Sequence, residues 1–140
     1  MVVVDTGIIL ALVFKSEDTE FACKISEAEE GNLLVPSLIV SELRNVIAVQ
    51  KHRIGKDITI EEARQGYEDA LLLIEDNIQT VNPRVAMETT LKYEISGYDA
   101  EYVTLSQDEG LDFVSTDKKL VKKLRRKGYL RAMLPEDYVN

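Results

Sequence analysis

Short apolar runs that alternate with longer amphipathic segments constrain the fold of this chain more than any other feature. Four runs have the length of buried strands: Val2–Val4, Leu33–Val35, Ile78–Val81 and Leu111–Ser115. A fifth run, Leu130–Leu134, is a further candidate strand. The segments between them repeat apolar residues every three or four positions, which predicts helices. This alternation predicts an α/β fold with a mostly parallel sheet of four or five strands. The 140 residues have the length of one domain, so we expect residues 1–140 to share a core.

Capping residues predict where several of these helices begin. Thr59 and Glu62 have the spacing of a capping box, which opens a long helix. Pro83 lies where the next helix starts, a position that favours proline. Ser37 is the expected cap of the helix after the second strand, and Thr116 is the expected cap of a strongly basic helix.

Charge is distributed unevenly along the chain. The net charge is −8, yet residues 1–117 hold 9 Lys and Arg against 23 Asp and Glu, whereas residues 118–140 hold 8 against 2. Salt confines surface fields to about 10 Å, so a local basic patch can bind phosphates even on an acidic protein. Two interpretations stay open for Lys118, Lys122 and Arg125: a phosphate-binding patch, or a solvated helix face.

Acidic residues follow the ends of two predicted strands. Asp5 ends the first run, and Asp117 lies two residues after the fourth. Because the carboxyl ends of parallel strands share one edge of a sheet, both acids should point toward that edge. Glu42 lies early in the helix after the second strand and starts from the same edge. Asp99 follows a helix, so the sheet does not place it, and a helix N-cap is a common role for Asp there.

Carboxylates that converge would favour a metal site. They repel one another, and an unpaired buried charge is costly, so a divalent cation would stabilise them. Hard oxygen ligands suit Mg²⁺ or Mn²⁺, and a chain with one cysteine and one histidine lacks the usual zinc ligands. A metal ion held by acids commonly activates water and binds a phosphodiester, which agrees with the basic helix that starts after Asp117.

Four short segments surround these acids, in order along nearly the whole chain. They are residues 3–6 (Val-Val-Asp-Thr), 35–43 (Val-Pro-Ser-Leu-Ile-Val-Ser-Glu-Leu), 98–105 (Tyr-Asp-Ala-Glu-Tyr-Val-Thr-Leu) and 113–120 (Phe-Val-Ser-Thr-Asp-Lys-Lys-Leu). Each is short and degenerate, but in this order and at these distances they resemble the sequence blocks of the PIN-domain family. Within that family they resemble the VapC-type toxin nucleases. The family's four acids fall at Asp5, Glu42, Asp99 and Asp117.

The resemblance implies a fold, an activity and a set of partners. The fold would be a PIN-like three-layer α/β/α arrangement. The activity would be endonuclease cleavage of RNA with Mg²⁺ or Mn²⁺, in which the four acids are catalytic and bind the metal. Thr6 and Thr116 would support them through their hydroxyls. Lys118, Lys122 and Arg125, which the charge distribution marks as a possible phosphate-binding patch, would then contact the RNA. A second copy in a homodimer, and an antitoxin protein if the chain is the toxin of a VapBC-type pair, would be the partners.

Other functions are compatible with parts of this pattern. An RNA-processing nuclease outside any toxin–antitoxin pair would use the same four acids. A catalytically inert PIN-like module that binds RNA or protein is a further alternative. A phosphoacceptor signalling domain is disfavoured, because Asp5 stands alone before the first helix and no lysine occurs in residues 130–140.

The compartment is predicted from segments that the sequence lacks. No run approaches the roughly 20 apolar residues that span a bilayer, so we expect no membrane segment. The apolar start has no basic leader and no small-residue cleavage site, so we expect no signal peptide. The single cysteine, Cys23, excludes an internal disulfide and favours a reducing cytoplasm. Cys23 lies on the apolar face of the predicted helix 18–30, so we expect it to be a core residue.

Overall fold

The first strand, β1 (Val2–Val4), packs against helices on both faces of a sheet. Its outer two valines belong to one hydrophobic cluster and Val3 belongs to another, because side chains alternate across a strand. The second strand, β2 (Leu33–Pro36), repeats this pattern, with Leu34 in the same cluster as Val3. A strand that is buried on both faces needs a continuous apolar run, which is the pattern seen in the sequence.

The structure of the protein, a computed structural model, describes residues 1–53 and 58–140, with side chains described outside residues 50–57. In that part of the chain one sheet has the strand order β3-β2-β1-β4-β5, and every strand pairing is parallel. The remaining strands are β3 (Ile78–Gln79), β4 (Phe113–Val114) and β5 (Ala132–Met133). The predicted parallel sheet is therefore confirmed, and the candidate fifth strand is present as β5.

Helices cover both faces of this sheet. In the described residues they are α1 (Thr6–Val13), α2 (Thr19–Ala28), α3 (Ile39–Arg53), α4 (Ile60–Ile74), α5 (Pro83–Tyr93), α6 (Gly97–Glu109), α7 (Lys118–Arg126) and α8 (Pro135–Val139). Helices α1 to α4 and α8 pack on one face, and α5, α6 and α7 pack on the other. The three-layer α/β/α arrangement is thus confirmed. None of the helices described has the length and apolar character needed to cross a membrane.

Side-chain caps mark the starts of helices largely where the sequence predicts them. The capping box of α4 is present: the Glu62 N–H donates to Thr59 Oγ1 over 3.0 Å, and the Thr59 N–H donates to Glu62 Oε1 over 3.1 Å. Pro83 occupies the first position of α5. Helix α3 begins at Ile39 rather than directly after Ser37, because Ser37 lies in a turn that precedes it.

Helix α2 buries a narrower stripe than its sequence suggests. Ala22 and Ile25 are its buried residues. Cys23 is exposed, so the prediction that it is a core residue is wrong. One position along an α-helix turns the side chain by about 100°, which carries Cys23 away from the face that packs on the sheet. Ala28, at the C-terminal end of the helix, is exposed as well.

Candidate active site

Asp5 follows β1 at the carboxyl edge of the sheet, and both of its carboxylate oxygens accept hydrogen bonds. Oδ1 accepts from the backbone N–H of Ile8 over 3.0 Å, which makes Asp5 the N-cap of α1. Oδ2 accepts from the Ser115 hydroxyl over 2.6 Å and from the Thr116 N–H over 3.0 Å. These last two bonds reach the end of the neighbouring strand β4, so they fix the orientation of the carboxylate.

Asp117 follows β4 at the same edge and is the N-cap of α7. Its Oδ1 accepts from the N–H of Leu120 over 3.1 Å. Its own N–H donates to the Ser115 hydroxyl oxygen over 3.0 Å, so the fully buried Ser115 links Asp117 to Asp5. The prediction that Thr116 caps this helix is wrong, because Asp117 holds the capping position and makes the capping bond.

Thr116 contacts the site through its backbone, whereas a role through its hydroxyl was expected. Its N–H donates to Asp5, but within residues 1–53 and 58–140 its hydroxyl forms no hydrogen bond. The hydroxyl lies against Gly7 at the start of α1. A Cβ added at Gly7 would stand 2.1 Å from Thr116 Oγ1 and 3.2 Å from Asp5 Oδ1. A residue without a side chain is therefore needed where α1 approaches the end of β4.

Glu42 lies in the first turn of α3 and is half-buried. Its Oε1 accepts from the Tyr102 hydroxyl over 2.6 Å and from the Thr6 hydroxyl over 3.5 Å. The hydroxyl oxygens of Thr6 and Tyr102 are themselves 3.0 Å apart. The Thr6 hydroxyl, which was expected to support the acids, thus contacts Glu42, and so does the Tyr102 hydroxyl, which was not predicted to contact an acid.

Asp99 is the third residue of α6. The helix begins at Gly97, and Ser96 is its N-cap. The backbone N–H of Asp99 donates to the Ser96 hydroxyl oxygen over 3.0 Å. The interpretation of Asp99 as the N-cap of its helix is therefore wrong, and its carboxylate has another position.

The four acids line one cavity of about 110 Å³ at the carboxyl edge of the sheet. They come from four elements, namely the ends of β1 and β4 and the first turns of α3 and α6. The other lining residues are Thr6, Gly7, Tyr102, Phe113, Ser115 and Leu120. The sheet rule places Asp5 and Asp117 at this edge and leaves Asp99 open. The structure brings Asp99 and Glu42 to the same cavity.

Burial and mutual repulsion raise the pKa values of three of these acids. Burial raises the pKa of Asp5 from 3.8 to about 6 against three hydrogen bonds that lower it, and Asp117 adds to the rise. Burial is also the main cause of the raised pKa values of Glu42 and Asp99. The charge of Asp99 contributes at Glu42, and that of Asp117 contributes at Asp99. Burial and Glu42 raise the pKa of Tyr102, so its hydroxyl stays protonated.

The donor chemistry of the cavity fits a divalent cation. Carboxylate oxygens are the ligands that Mg²⁺ and Mn²⁺ prefer, and none of the ion pairs among the described residues involves these four acids. In the arrangement of residues 1–53 and 58–140, no three Asp, Glu, His or Cys side chains are grouped closely enough to share one ion as they stand. By donor chemistry and charge, however, the four acids that line the cavity fit a metal ion.

The three basic side chains of α7 that were expected to contact RNA divide into two groups. Arg125 donates to the carbonyl oxygens of Leu130 over 3.1 Å and of Ala132 over 3.0 Å, so its guanidinium holds the segment that leads into β5. Lys118 and Lys122 are exposed and form no hydrogen bond or ion pair within the described residues. They lie one turn apart on a helix that starts at the acidic cavity, so they are better placed than Arg125 to contact a phosphate.

Comparison with known proteins identifies the family. The sequence model of the PIN domain matches residues 2–126, which is most of the chain. The chain belongs to the PIN-domain family. PIN domains are generally nucleases that use divalent metal ions. No curated protein matches the chain.

A solved structure has the same arrangement of strands and helices as this PIN domain. It is that of PAE2754 from Pyrobaculum aerophilum, with a TM-score of 0.70. The match covers 98% of this chain and 92% of that chain, at 18% sequence identity. At so low an identity the likeness shows the fold alone.

Two residues of this PIN domain contact the acids without having been predicted to do so. Ser115 could have been marked by its place two residues before Asp117, at the end of a strand where an acid follows. Tyr102 lies three positions after Asp99, and residues three apart share a helix face. Neither signal is specific, because a buried serine or tyrosine is more often explained by packing.

Proposed function

We propose that this PIN domain is an endoribonuclease that hydrolyses RNA phosphodiester bonds with Mg²⁺ or Mn²⁺. The observation that carries the proposal is the convergence of Asp5, Glu42, Asp99 and Asp117 on one small cavity. In the described part of the chain these acids have no basic partner, so a cation must neutralise them before an RNA phosphate can approach. The RNA substrate is proposed from the resemblance of the four segments to the PIN family.

The contacts of each residue support a division of roles. Bound at these acids, a divalent ion would supply a Lewis acid and an activated water. Asp5 and Asp117 are held by hydrogen bonds at the ends of neighbouring strands, so they form the rigid side of the proposed site. Glu42 and Asp99 complete it from the first turns of their helices. Thr6 orients Glu42 through its hydroxyl.

Phosphate binding outside the cavity is assigned to the basic helix. Lys118 and Lys122 are exposed on α7 and would contact the RNA backbone next to the acidic cavity. Arg125, the third predicted RNA contact, is engaged with backbone carbonyls and would contribute less. Most of the affinity for a nucleic acid commonly comes from such phosphate contacts, so binding should depend strongly on salt.

Cleavage of a single-stranded RNA in Mn²⁺, with and without excess chelator, tests the proposal. Asp99→Asn should lower the rate by at least about 100-fold, because a lost ligand misplaces the ion and its water. The matched control is Asp108→Asn, which removes an exposed acid from the same helix and should leave the rate unchanged. Full activity in chelator would contradict the metal requirement. Cleavage of the equivalent DNA but not of the RNA would contradict the substrate.

A catalytically inert module is the alternative that one observation favours. As they stand, no three acids within the described residues are grouped closely enough to share one ion, and a chain without metal binding would bind RNA or protein only. Such a module would retain salt-dependent RNA binding while failing to cleave in Mn²⁺. The two outcomes are separated by measuring binding and cleavage on the same RNA.

We propose the toxin of a VapBC-type pair as the biological setting, with RNA processing outside such a pair as the alternative. Both settings use the same chemistry, so the site itself does not separate them. A neighbouring reading frame for a short DNA-binding antitoxin would support the toxin. Co-expression would then be expected to yield a complex of the two chains in which RNA cleavage is suppressed, whereas free nuclease activity in that complex would contradict it.

We also propose that the protein forms a homodimer. Helix α4 carries apolar residues on more than one face: Ile74 is buried, whereas Leu72 is 66% exposed and Leu73 is 38% exposed. One face can pack on the core while the other packs on a second copy. Light scattering at micromolar concentration should give twice the mass of the chain, and Leu72→Lys should shift it to one mass. A parent protein with the mass of a single chain would reject the dimer.

A further inference from the structure

The hydroxyl of Tyr102 lies inside the protein between two residues of the proposed site. It donates to Glu42 Oε1 over 2.6 Å and lies 3.0 Å from Thr6 Oγ1. Thr6 also donates to the same glutamate oxygen, over 3.5 Å. The three side chains thus form a closed triangle, in which the shortest edge joins the tyrosine to the glutamate.

The ring of Tyr102 is held in place by the core of the protein. The side chain is 3% exposed, and its ring stacks on that of Phe113 with centroids 5.9 Å apart and planes inclined by 25°. Phe113 belongs to β4 and pairs with Val3 of the central strand. The position of the hydroxyl is therefore set by the sheet rather than by a surface loop.

Only one oxygen of Glu42 is used by this triangle. Oε1 accepts both hydroxyls, whereas Oε2 has no hydrogen-bond partner among the described residues. A glutamate without such a restraint would sample several rotamers on the first turn of a helix, and each rotamer would present a different oxygen to the cavity. A donor fixed by the core removes that freedom from Glu42.

We propose that Tyr102 is a positioning residue, which holds Glu42 through Oε1 so that Oε2 is available to a divalent cation in the acidic cavity. The inference rests on the proposed function, since it assigns Tyr102 a role toward the metal ion of that site. Hydrogen-bond partners of metal ligands commonly change metal affinity by 10- to 100-fold when they are removed. Tyr102 is expected to act in that range and does not itself touch the ion.

Calorimetric titration of the protein with Mn²⁺ alone, without RNA, tests this role. Tyr102→Phe keeps the ring stacked on Phe113 and removes only the hydroxyl. Its Mn²⁺ affinity should fall by 10- to 100-fold. The matched control is Tyr93→Phe, since Tyr93 is 4% exposed and accepts a hydrogen bond from Gln107 over 3.2 Å, yet does not line the cavity. That variant should bind Mn²⁺ as the parent does.

Two further variants show whether the effect passes through Glu42. In a Glu42→Ala background, Tyr102→Phe should cause no further loss of Mn²⁺ affinity, because the residue it positions is gone. Thr6→Val removes the other hydroxyl on Oε1 and should cause a smaller loss, since its bond is longer. If Tyr102→Phe does not fold, Thr6→Val still tests the triangle. An unchanged Mn²⁺ affinity of Thr6→Val would then overturn the proposal.

The outcomes separate this inference from the proposed function. A parent protein that binds no Mn²⁺ and cleaves no RNA would overturn the proposed function. A parent that binds and cleaves, with Tyr102→Phe of equal Mn²⁺ affinity, would overturn only the positioning role. A Tyr102→Phe variant that melts earlier but binds Mn²⁺ as the parent does would assign the hydroxyl to stability alone and also overturn the proposal.

Discussion

Removal of divalent cations followed by a fall in pH from 8 to 5 should make this protein more stable. The reason is Asp5, whose pKa is raised by burial from 3.8 to about 6. A carboxyl group with a folded-state pKa above its unfolded value binds a proton more tightly in the folded state. Its stabilising contribution is fully present below the unfolded pKa, and it is lost as the pH rises through the folded pKa. The window for Asp5 therefore runs from about pH 4 to pH 6.

The size of the effect follows from the two pKa values. The difference between the unfolded and folded pKa values of Asp5 corresponds to about 3 kcal/mol in the free energy of unfolding. About 1.4 kcal/mol of this is gained when the pH falls from 8 to 5. Glu42 and Asp99 act in the same direction, because their pKa values are raised too. Glu29 and Glu94 have lowered pKa values and act in the opposite direction, but mainly below pH 5.

Urea unfolding of chelator-treated protein at several pH values measures this change, provided that the slope m stays constant. Asp5→Asn is the reference variant, because asparagine keeps the size of the side chain and can still cap α1. The difference between the two pH dependences isolates Asp5 from every other titrating group. In Mn²⁺ the trend should reverse, because protons and the ion compete for the same carboxylates. Metal stabilisation should be about 2.7 kcal/mol when Mn²⁺ is 100-fold above its Kd.

Equal pH dependences of the parent and Asp5→Asn between pH 8 and 5 would refute the argument from burial. The argument would also be refuted if, in chelator, both proteins lost a similar amount of stability as the pH was lowered through this window. Stability in Mn²⁺ that does not depend on pH would argue that the ion binds elsewhere. The three readings come from one set of unfolding curves.

Two other predictions concern the basic helix and the start of α1. Replacing Lys118 and Lys122 with Glu should weaken RNA binding and lower the slope of log affinity against log salt by about 0.7 for each lost phosphate contact, as measured by fluorescence anisotropy. Lys92→Glu on α5 is the control, and an unchanged slope in the double variant would assign these lysines to a solvated face. Gly7→Ala should destabilise the fold by roughly 1–3 kcal/mol despite the higher helix propensity of alanine, because its methyl group would clash with the threonine hydroxyl at the end of β4. Gly97→Ala meets nothing within 4 Å and should be neutral or stabilising by up to about 1 kcal/mol, so equal melting temperatures for the two variants would contradict the clash.

Much of the fold could be predicted because its signals are local. A strand buried on both faces must be apolar at every position, so Val2–Val4 stands out from its helical surroundings. The Thr59–Glu62 capping box depends on residues three positions apart, and it is present in the structure. The order of the strands in the sheet could not be read in the same way, since it depends on contacts between segments far apart in the chain.

Errors at helix starts have a common cause. Several polar residues in a row can each serve as a cap, and the one used depends on where the preceding element ends. Thr116 was expected to cap α7, but the helix begins at Lys118 and the carboxylate of Asp117 makes the capping bond. Asp99 was expected to open its helix, but Ser96 does so. In both cases the role of the acid differs from the one expected. The Asp117 carboxylate caps α7, whereas the Asp99 carboxylate does not cap α6.

The sequence by itself determined that Asp5 and Asp117 share one edge of the sheet, because parallel strands all end there. Only the tertiary structure decided that Glu42 and Asp99 reach the same cavity, since helices on opposite faces of the sheet supply them. It also decided that Tyr102 holds Glu42 across 60 residues of chain. The periodicity of one segment determines its own helix or strand. A site that is shared by distant segments depends instead on how the buried faces of those segments pack together.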